Sequence, residues 1–291
     1  MGLFAKFMKE TARHAPSVEP GSQQTILESD LAALPAVVQR YMRFMGVLGR
    51  PRDWSFRAGF LGRFKTKAEA PWRRCEVWQY DVGAPIARLF YMRIALGRVL
   101  PVIGRDLYCE GRGRLVVRLL DQVTVVDAKG PELDAGELVT YLNDLVLIAP
   151  SMLLGPNVSW RAGSDETDSF DVSLTDAGRT VTAHVSVDAH GAPVNFETDD
   201  RFFEDAKHVF DASGADGAAG AVGASGVSGT ADASRWRRTH WSTPRPRFEA
   251  LDGRQVLAQG RAVWHLPGLE LPYAEFELVP GSLVFNVRPG E

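Results

Sequence analysis

The sequence has 291 residues, of which 45% are hydrophobic, and its 33 basic and 36 acidic residues give a net charge of −3. This length and apolar content are ample for a substantial core. The near balance of charge argues against a nucleic-acid-binding protein, which would carry a basic surplus. Two cysteines, Cys75 and Cys109, are too few for a secreted disulfide scaffold. We expect two reduced thiols in strands, although one bridge stays open because pairing depends on a Cα separation that the sequence does not give.

The N-terminal segment, residues 1–30, precedes the first element with a clear pattern. Residues 1–10 lack a continuous apolar core of signal-peptide length, and no run approaches the roughly 18 apolar residues of a membrane-spanning helix. We therefore expect a cytoplasmic protein without a transmembrane segment. Four apolar residues nonetheless fall at helical spacing beside lysines: Leu3, Phe4, Phe7 and Met8. They predict either a weak amphipathic helix with slight peripheral membrane contact or a poorly ordered arm.

Two segments have the 3.6-residue period of an amphipathic helix. The first spans residues 31–45, with Pro35 in its first turn and Gly46 after its end. The second begins at Pro131, carries acidic residues where they complement the helix dipole, and ends before Pro150. The sequence thus predicts one N-terminal helix and one central helix.

The rest of the pattern is that of β-strands with one buried face. From Trp54 onwards apolar residues alternate with polar ones, in short runs broken by Gly, Pro or charged turns. Residues 169–175 and 179–188 form a predicted hairpin. The other predicted strands are 72–80, 86–95, 105–110, 114–120, 123–127, 194–204, 235–242, 246–251, 256–265 and 273–286. Because strands far outnumber helices, the predicted fold class is α+β but mainly β: a large curved antiparallel sheet, or half-open barrel.

One segment, residues 211–234, consists mostly of Gly, Ala and Ser, with glycine at every third position from 214 to 229. The period is that of collagen, but the segment contains no proline and is too short for a triple helix. Its lack of apolar surface predicts a flexible loop. Because it lies between two strand-like segments, we expect an enlarged hairpin loop inside a single β-rich domain, residues 31–291.

A search for catalytic chemistry finds no established motif. The sequence has no G-x-S-x-G elbow, no CxxC, no H-E-x-x-H spacing and no P-loop, so we predict no metal and no cofactor. What remains is a group of carboxylates at the central helix, a polar strand face around Asp106, and many aromatic residues in strands. An aromatic concave face would suit an apolar ligand. The candidate ligand-binding residues are Trp78, Tyr80, Tyr91, Asp106, Tyr108, Glu132, Glu137, Tyr141, Trp264 and His265.

Several motifs together resemble a bacterial family of uncharacterised proteins. They are Leu34-Pro-Ala-Val-Val-Gln-Arg-Tyr41, Gly46-x-x-Gly-Arg-Pro51, Asp106-x-Tyr108-x-x-Gly111-x-Gly113, the segment from Val125 to Leu138, and Ala262-Val-Trp-His-Leu266 with Tyr273-Ala. The resemblance covers roughly residues 31–279 and implies no activity. In shape alone, one helix followed by a curved sheet is similar to the bacterial lipoprotein-carrier half-barrels, which is an analogy of fold.

Three hypotheses of function follow. The first is a non-catalytic binding protein that holds an apolar or amphipathic small molecule, such as a lipid, on the concave face of the sheet. The second is an enzyme that uses a carboxylate and histidine cluster for acid–base chemistry: Asp106, Glu132, Glu137 and His265. The third is a scaffold or regulatory protein acting through a surface patch. The sequence leaves the ligand and the oligomeric state open.

Overall fold

The structure, a computed structural model, describes residues 1–14, 24–96, 100–163, 168–204 and 236–288. The predicted loop at 211–234 lies outside the described residues. The helices are α1 (Leu3–Arg13), α2 (Glu28–Leu31), α3 (Ala36–Phe44) and α4 (Pro131–Leu147), and a 3₁₀ helix covers Pro150–Leu153. Within the described ranges, none of these helices has the length and apolar character needed to cross a membrane.

Strands make up most of the described chain. Their bounds are β1 (Ser55–Phe64), β2 (Arg73–Gly83), β3 (Ile86–Leu96), β4 (Leu100–Cys109), β5 (Arg112–Leu119), β6 (Val123–Lys129), β7 (Val158–Ala162), β8 (Ser169–Asp176), β9 (Arg179–Val187), β10 (Pro193–Glu204), β11 (Trp236–Ser242), β12 (Arg247–Leu251), β13 (Arg254–Leu266), β14 (Leu269–Leu278) and β15 (Val284–Phe285).

All fifteen strands belong to one open antiparallel sheet, which confirms the predicted fold class. The order is β6-β5-β4-β3-β2-β1-β14-β13-β11-β10-β9-β8-β7, with β12 beside β13 and β15 beside β1. Helix α4 follows edge strand β6 and contacts both β5 and β10, which are eight steps apart in this order. In a flat sheet these strands would be about 38 Å apart, far more than the width of one helix. The sheet therefore curves around α4.

The predicted helix over residues 31–45 is shorter in the structure. Pro35 has an extended backbone, with ψ at 145°, and precedes α3 as its N-cap. Of the predicted first turn, Leu31 ends the separate helix α2 and residues 32–34 form a turn. Val38, Tyr41 and Met42 form the buried face of α3. The Tyr41 ring lies 5.2 Å from that of Phe170 on β8, so α3 packs against this end of the sheet.

Helix α1 packs on the outer, convex face of the sheet. Leu3 and Phe7 are buried there, and the ring of Phe4 lies 5.1 Å from that of Tyr91 on β3. The helix also covers Val116 of β5, a residue that the sequence pattern assigns to a polar face. Both faces of these strands are consequently buried, which a single alternating pattern does not indicate.

The hairpin of β8 and β9 follows the prediction closely. Ala177 and Gly178 both have positive φ, 48° and 77°, as a two-residue hairpin turn requires. Val181, Ala183 and Val185 are buried, so their side chains face the core from alternate positions of β9. This end of the half-barrel is filled with side chains from α3, α4 and the sheet.

Candidate functional site

A cavity of about 730 Å³ lies between the concave face of the sheet and α4. Strands β1–β6 line one side and β10, β11, β13 and β14 line the other, while α4 forms the floor. The loop between β1 and β2, where Thr66, Lys67 and Glu69 are exposed, lies at the opening. The half-barrel is thus filled at one end and hollow at the other.

Aromatic side chains from several strands line the cavity. The rings of Phe60 and Phe90 each lie 6.3 Å from the ring of Phe276, and Trp264 stacks on Tyr273 at 6.1 Å. These residues come from β1, β3, β13 and β14, so the curvature of the sheet brings them around one space. Aliphatic side chains complete the wall: Met92, Ile94, Val102, Leu115, Val117 and Leu271.

The floor carries a buried polar network centred on Arg88 of β3. Arg88 Nε donates to Asp144 Oδ2 at 2.7 Å, and Nη1 donates to Glu137 Oε2 at 3.1 Å. Gln79 Nε2 donates to Asp144 Oδ2 at 2.7 Å and to Asp81 Oδ2 at 3.1 Å. The side chain of Arg88 is only 4% exposed. Both of its ion pairs are therefore shielded from solvent, and they fix α4 to the sheet.

Two features of α4 place its carboxylates over the cavity. Glu137 and Asp144 are seven residues apart, two helical turns, and so lie on one face of the helix. Thr140 and Asn143 line the cavity between them. Gly130 precedes the helix with φ at 139°, a backbone conformation that favours glycine, and Pro131 then begins the first turn.

The acidic groups around the floor outnumber the basic ones. Arg88 is one nearby cation, and Arg201 is a second, its guanidinium lying 4.5 Å above the Trp241 ring. Arg105 also acts on the charge of Asp106, but its own charge is paired with Glu10 of α1. Four carboxyl groups, which we call the carboxyl cluster, surround them: Asp81, Asp106, Glu137 and Asp144. With all four ionised the group would carry two uncompensated negative charges in a poorly hydrated site. Protonation of part of the cluster relieves this charge.

The pKa values of the carboxyl cluster reflect this excess. Burial raises the pKa of Glu137 to about 7, repulsion by Asp106 adds to the effect, and Arg88 opposes it. Burial also raises the pKa of Asp106, of Asp144 and of Asp81. The floor therefore holds one carboxyl group, that of Glu137, that exchanges its proton near neutral pH.

Three of the residues that the sequence nominated line the cavity: Asp106, Glu137 and Trp264. Tyr108 and Tyr141 are buried beside it and make structural hydrogen bonds. The Tyr108 hydroxyl donates to Asp176 at 2.7 Å, and the Tyr141 hydroxyl donates to the Val82 carbonyl at 2.9 Å. These two hydroxyls hold neighbouring elements together and leave the cavity to other side chains.

The other five nominated residues lie away from the cavity. Glu132 is in the first turn of α4, outside the lining. His265 follows Trp264 on β13 and points to the opposite face, where it hydrogen-bonds with Ser242 at 2.8 Å. The remaining three are on the convex face of β2 and β3: Trp78, Tyr80 and Tyr91. The four residues of the acid–base hypothesis are therefore divided, with two in the cavity and two outside it.

The sequence interpretation missed Arg88, Gln79, Asp144 and Arg201. A signal for one of them was present, because Arg88 precedes Phe90 and Met92 at alternate positions and so interrupts an apolar strand face. A charged residue on a buried face requires a partner. Its partners lie 49 and 56 residues further along the chain, so alternation indicates that a partner exists and does not identify it.

The structure shows the state of the two cysteines and whether the described residues form a metal site. Cys75 and Cys109 are free thiols on strands separated by β3, and burial raises the pKa of Cys75 to about 12. Among the described residues, no group of three or more His, Cys, Asp or Glu side chains is arranged to hold a metal ion.

Fold and site together define an open antiparallel half-barrel with a ligand-sized cavity over a helix. The chain belongs to DUF6544, a family of unknown function whose pattern matches residues 24–212. The resemblance to a family of uncharacterised proteins is thereby confirmed. No curated protein matches the sequence.

Solved structures with a similar course of the chain have very different sequences. A DUF1329 family protein from Desulfovibrio piger is 9% identical over 81% of this chain and 87% of its own, with a TM-score of 0.41. A domain from Vibrio parahaemolyticus, described as an outer membrane lipoprotein-sorting protein domain, is 8% identical over 80% and 86%, with a TM-score of 0.37. A LolA superfamily protein from Nitrosomonas europaea is 11% identical over 84% and 90%, with a TM-score of 0.34.

Proposed function

We propose that this protein binds one apolar or amphipathic small molecule, of a lipid-like kind, in the cavity between the sheet and α4. The observation that carries the proposal is the cavity, which stays open at about 730 Å³ within a sheet whose other end is filled. This volume is in the range of small-molecule sites. Burial of each methylene group of a ligand would contribute about 0.8 kcal/mol, so a short alkyl chain suffices for binding.

The wall chemistry supports the same conclusion. Phenylalanine and tryptophan rings offer large apolar contact areas, and their positions are fixed by packing on each other. Polar groups lie on the floor, around Arg88, and at the opening, with the apolar walls between them. Such a division suits a molecule with an apolar part and a polar end group.

A cavity-filling substitution tests the proposal. Gly104 of β4 lines the cavity, and a Cβ atom added there would have only Met92 Cε as a neighbour, at 4.0 Å. The Gly104→Leu variant should therefore fold normally, and its leucine side chain should occupy part of the cavity. We expect at least a tenfold loss of affinity for the neutral probe N-phenyl-1-naphthylamine, followed by its fluorescence.

The control for this test is Gly136→Ala in α4. Gly136 does not line the cavity, and its added methyl group would have no atom of another element within 4 Å. Thermal unfolding of both variants checks that they are folded. Equal affinity of the probe for wild type and Gly104→Leu would place the ligand elsewhere and contradict the proposal. Native mass spectrometry of the purified protein, before and after a lipid-extracting wash, identifies a bound natural ligand.

Acid–base catalysis is a second candidate, and one observation favours it. Asp106 and Glu137 share the cavity, and the Glu137 pKa of about 7 suits a group that gives or takes a proton near neutral pH. The natural ligand distinguishes the two functions. Release of the ligand unchanged after prolonged incubation supports binding alone, whereas its conversion by wild type and not by Glu137→Gln supports catalysis.

A further inference from the structure

The charge around the cavity floor indicates which kind of polar end group the ligand carries. This inference rests on the proposed function, because it concerns the occupant of the same cavity. Arg88 is committed to two carboxylates, Glu137 and Asp144, through hydrogen bonds of 3.1 and 2.7 Å. Its Nε and Nη1 atoms are therefore engaged within the floor, where these two carboxylates already balance its positive charge.

Asp106 occupies a different position in the network. It lines the cavity, and none of the described residues donates a hydrogen bond to it, although Arg88, Arg201 and Arg105 are near enough to act on its charge. One oxygen of the fully buried Asp81 also lacks a donor. Buried carboxylates are normally hydrogen-bonded, so the Asp106 carboxyl group and this Asp81 oxygen are open to a further donor.

Arg201 does not remove the imbalance. Its guanidinium lies 4.5 Å above the ring of Trp241 and 5.2 Å from that of Trp264, where aromatic faces stabilise the positive charge. Counted with Arg88 it gives two positive charges against the four carboxyl groups of the cluster. Two negative charges remain to be neutralised, either by protons or by a bound cation.

The basic residues at the opening have less influence on the ligand. Lys67 and Arg261 line the cavity at exposed positions, where water and salt screen their charges. Lys65 and Arg73 line it at half-buried positions next to the loop between β1 and β2, and Lys65 Nζ donates to the Ala68 carbonyl of that loop. Asp106 and Glu137 interact within the shielded site, where the same charge has a much larger effect.

We propose that the ligand is a cationic amphiphile whose ammonium group lies between Asp106 and Glu137, with its apolar part against Phe90, Met92 and Trp264. The ammonium donates hydrogen bonds that the floor lacks and supplies one of the missing positive charges. The aromatic wall then covers the alkyl or aryl part of the molecule. A neutral ligand leaves the imbalance as it is, and a carboxylate or phosphate ligand increases it.

Three probes of equal chain length test the charge preference: dodecylammonium, dodecanol and dodecanoate. Each displaces N-phenyl-1-naphthylamine from the full-length protein at pH 7.5 and 150 mM salt, below its micelle concentration. We expect dodecylammonium to bind at least tenfold more tightly than dodecanol, and dodecanoate to bind most weakly. In Asp106→Asn the advantage of dodecylammonium over dodecanol should fall to about twofold or less.

Asp199→Asn is the matched control, because it removes an exposed carboxylate that pairs with His240 away from the cavity. It should keep the full preference, which excludes general attraction to an acidic protein. Glu137→Gln provides a second test if Asp106→Asn does not fold. Equal binding of the three probes, tightest binding of dodecanoate, or an undiminished preference in both variants would overturn the inference and leave the proposed function standing. If neither these probes nor the naphthylamine binds, the proposed function itself fails.

Discussion

Arg88 shows how one residue decides the character of the site. A buried guanidinium needs anionic partners, and Arg88 obtains two from a single helix face, Glu137 and Asp144. The same contacts bring α4 against β3 and keep polar groups at one end of the cavity. Gln79 connects Asp144 to Asp81, so the network extends to a second strand.

Glu137 gives the site a measurable pH dependence. Its pKa in the folded protein, about 7, lies above the ordinary value of 4.5, so the folded state binds the proton more tightly than the unfolded state. Stability is therefore lost as the pH rises from about 4.5 through 7. Glu137→Gln removes this titration, and we expect its free energy of unfolding to fall less steeply over that window.

Urea unfolding at four pH values between 4.5 and 7.5 measures the two slopes. Some slope remains in the variant, because the pKa values of Asp106 and Asp144 are raised as well. The exposed-site variant Asp199→Asn should follow wild type. Identical slopes for wild type and Glu137→Gln would show that Glu137 does not bind its proton more tightly in the folded protein.

At the scale of elements, α1 shows how tertiary packing determines the structural role of an amphipathic helix. Its sequence is amphipathic, and the sheet covers the apolar face by burying Leu3 and Phe7. Glu10 of α1 forms an ion pair with Arg105, which is almost fully buried in β4. The Leu3 amide also donates to Asp121 at 2.8 Å. Residues 1–13 thus form part of the folded sheet's outer layer.

A pair of alanine substitutions tests the contribution of α1. Phe7→Ala should lower the free energy of unfolding by about 3 kcal/mol, because it removes a buried ring and leaves a space beside Tyr91. Met8→Ala, on the exposed side of the same helix, should cost much less. Equal effects in urea unfolding would show that α1 does not pack on the sheet in solution.

At the scale of the whole molecule, α4 joins the two sides of the half-barrel. It follows β6 at one edge of the sheet, leads to β7 at the other, and supplies the floor of the cavity between them. A ligand in the cavity contacts the floor and both walls at once. Binding should consequently slow local opening of α4 and of the strands around it.

Hydrogen exchange detects this effect. With saturating dodecylammonium or N-phenyl-1-naphthylamine, we expect slower amide exchange in α4, β3 and β4. The hairpin of β8 and β9, which lies outside the cavity lining, should be unaffected and acts as an internal control. Protection confined to α1 instead would place the ligand on the convex face of the sheet.

The sequence by itself determined the local structure of this protein. Alternation at Val181, Ala183 and Val185 and the turn at Ala177-Gly178 specify the second hairpin, because backbone sterics and the two-residue strand period act over a few residues. The same reasoning identified Asp106, Glu137 and Trp264 as candidates.

Only the tertiary structure decided which faces meet. It placed Trp78 and Tyr91 on the convex side, α1 over Tyr91, and Arg88 between two carboxylates more than forty residues away in the chain. Periodicity shows that a face is to be covered, but what covers it depends on the curvature of the sheet and the path of α4. The cavity and its excess of carboxyl groups arise from that arrangement.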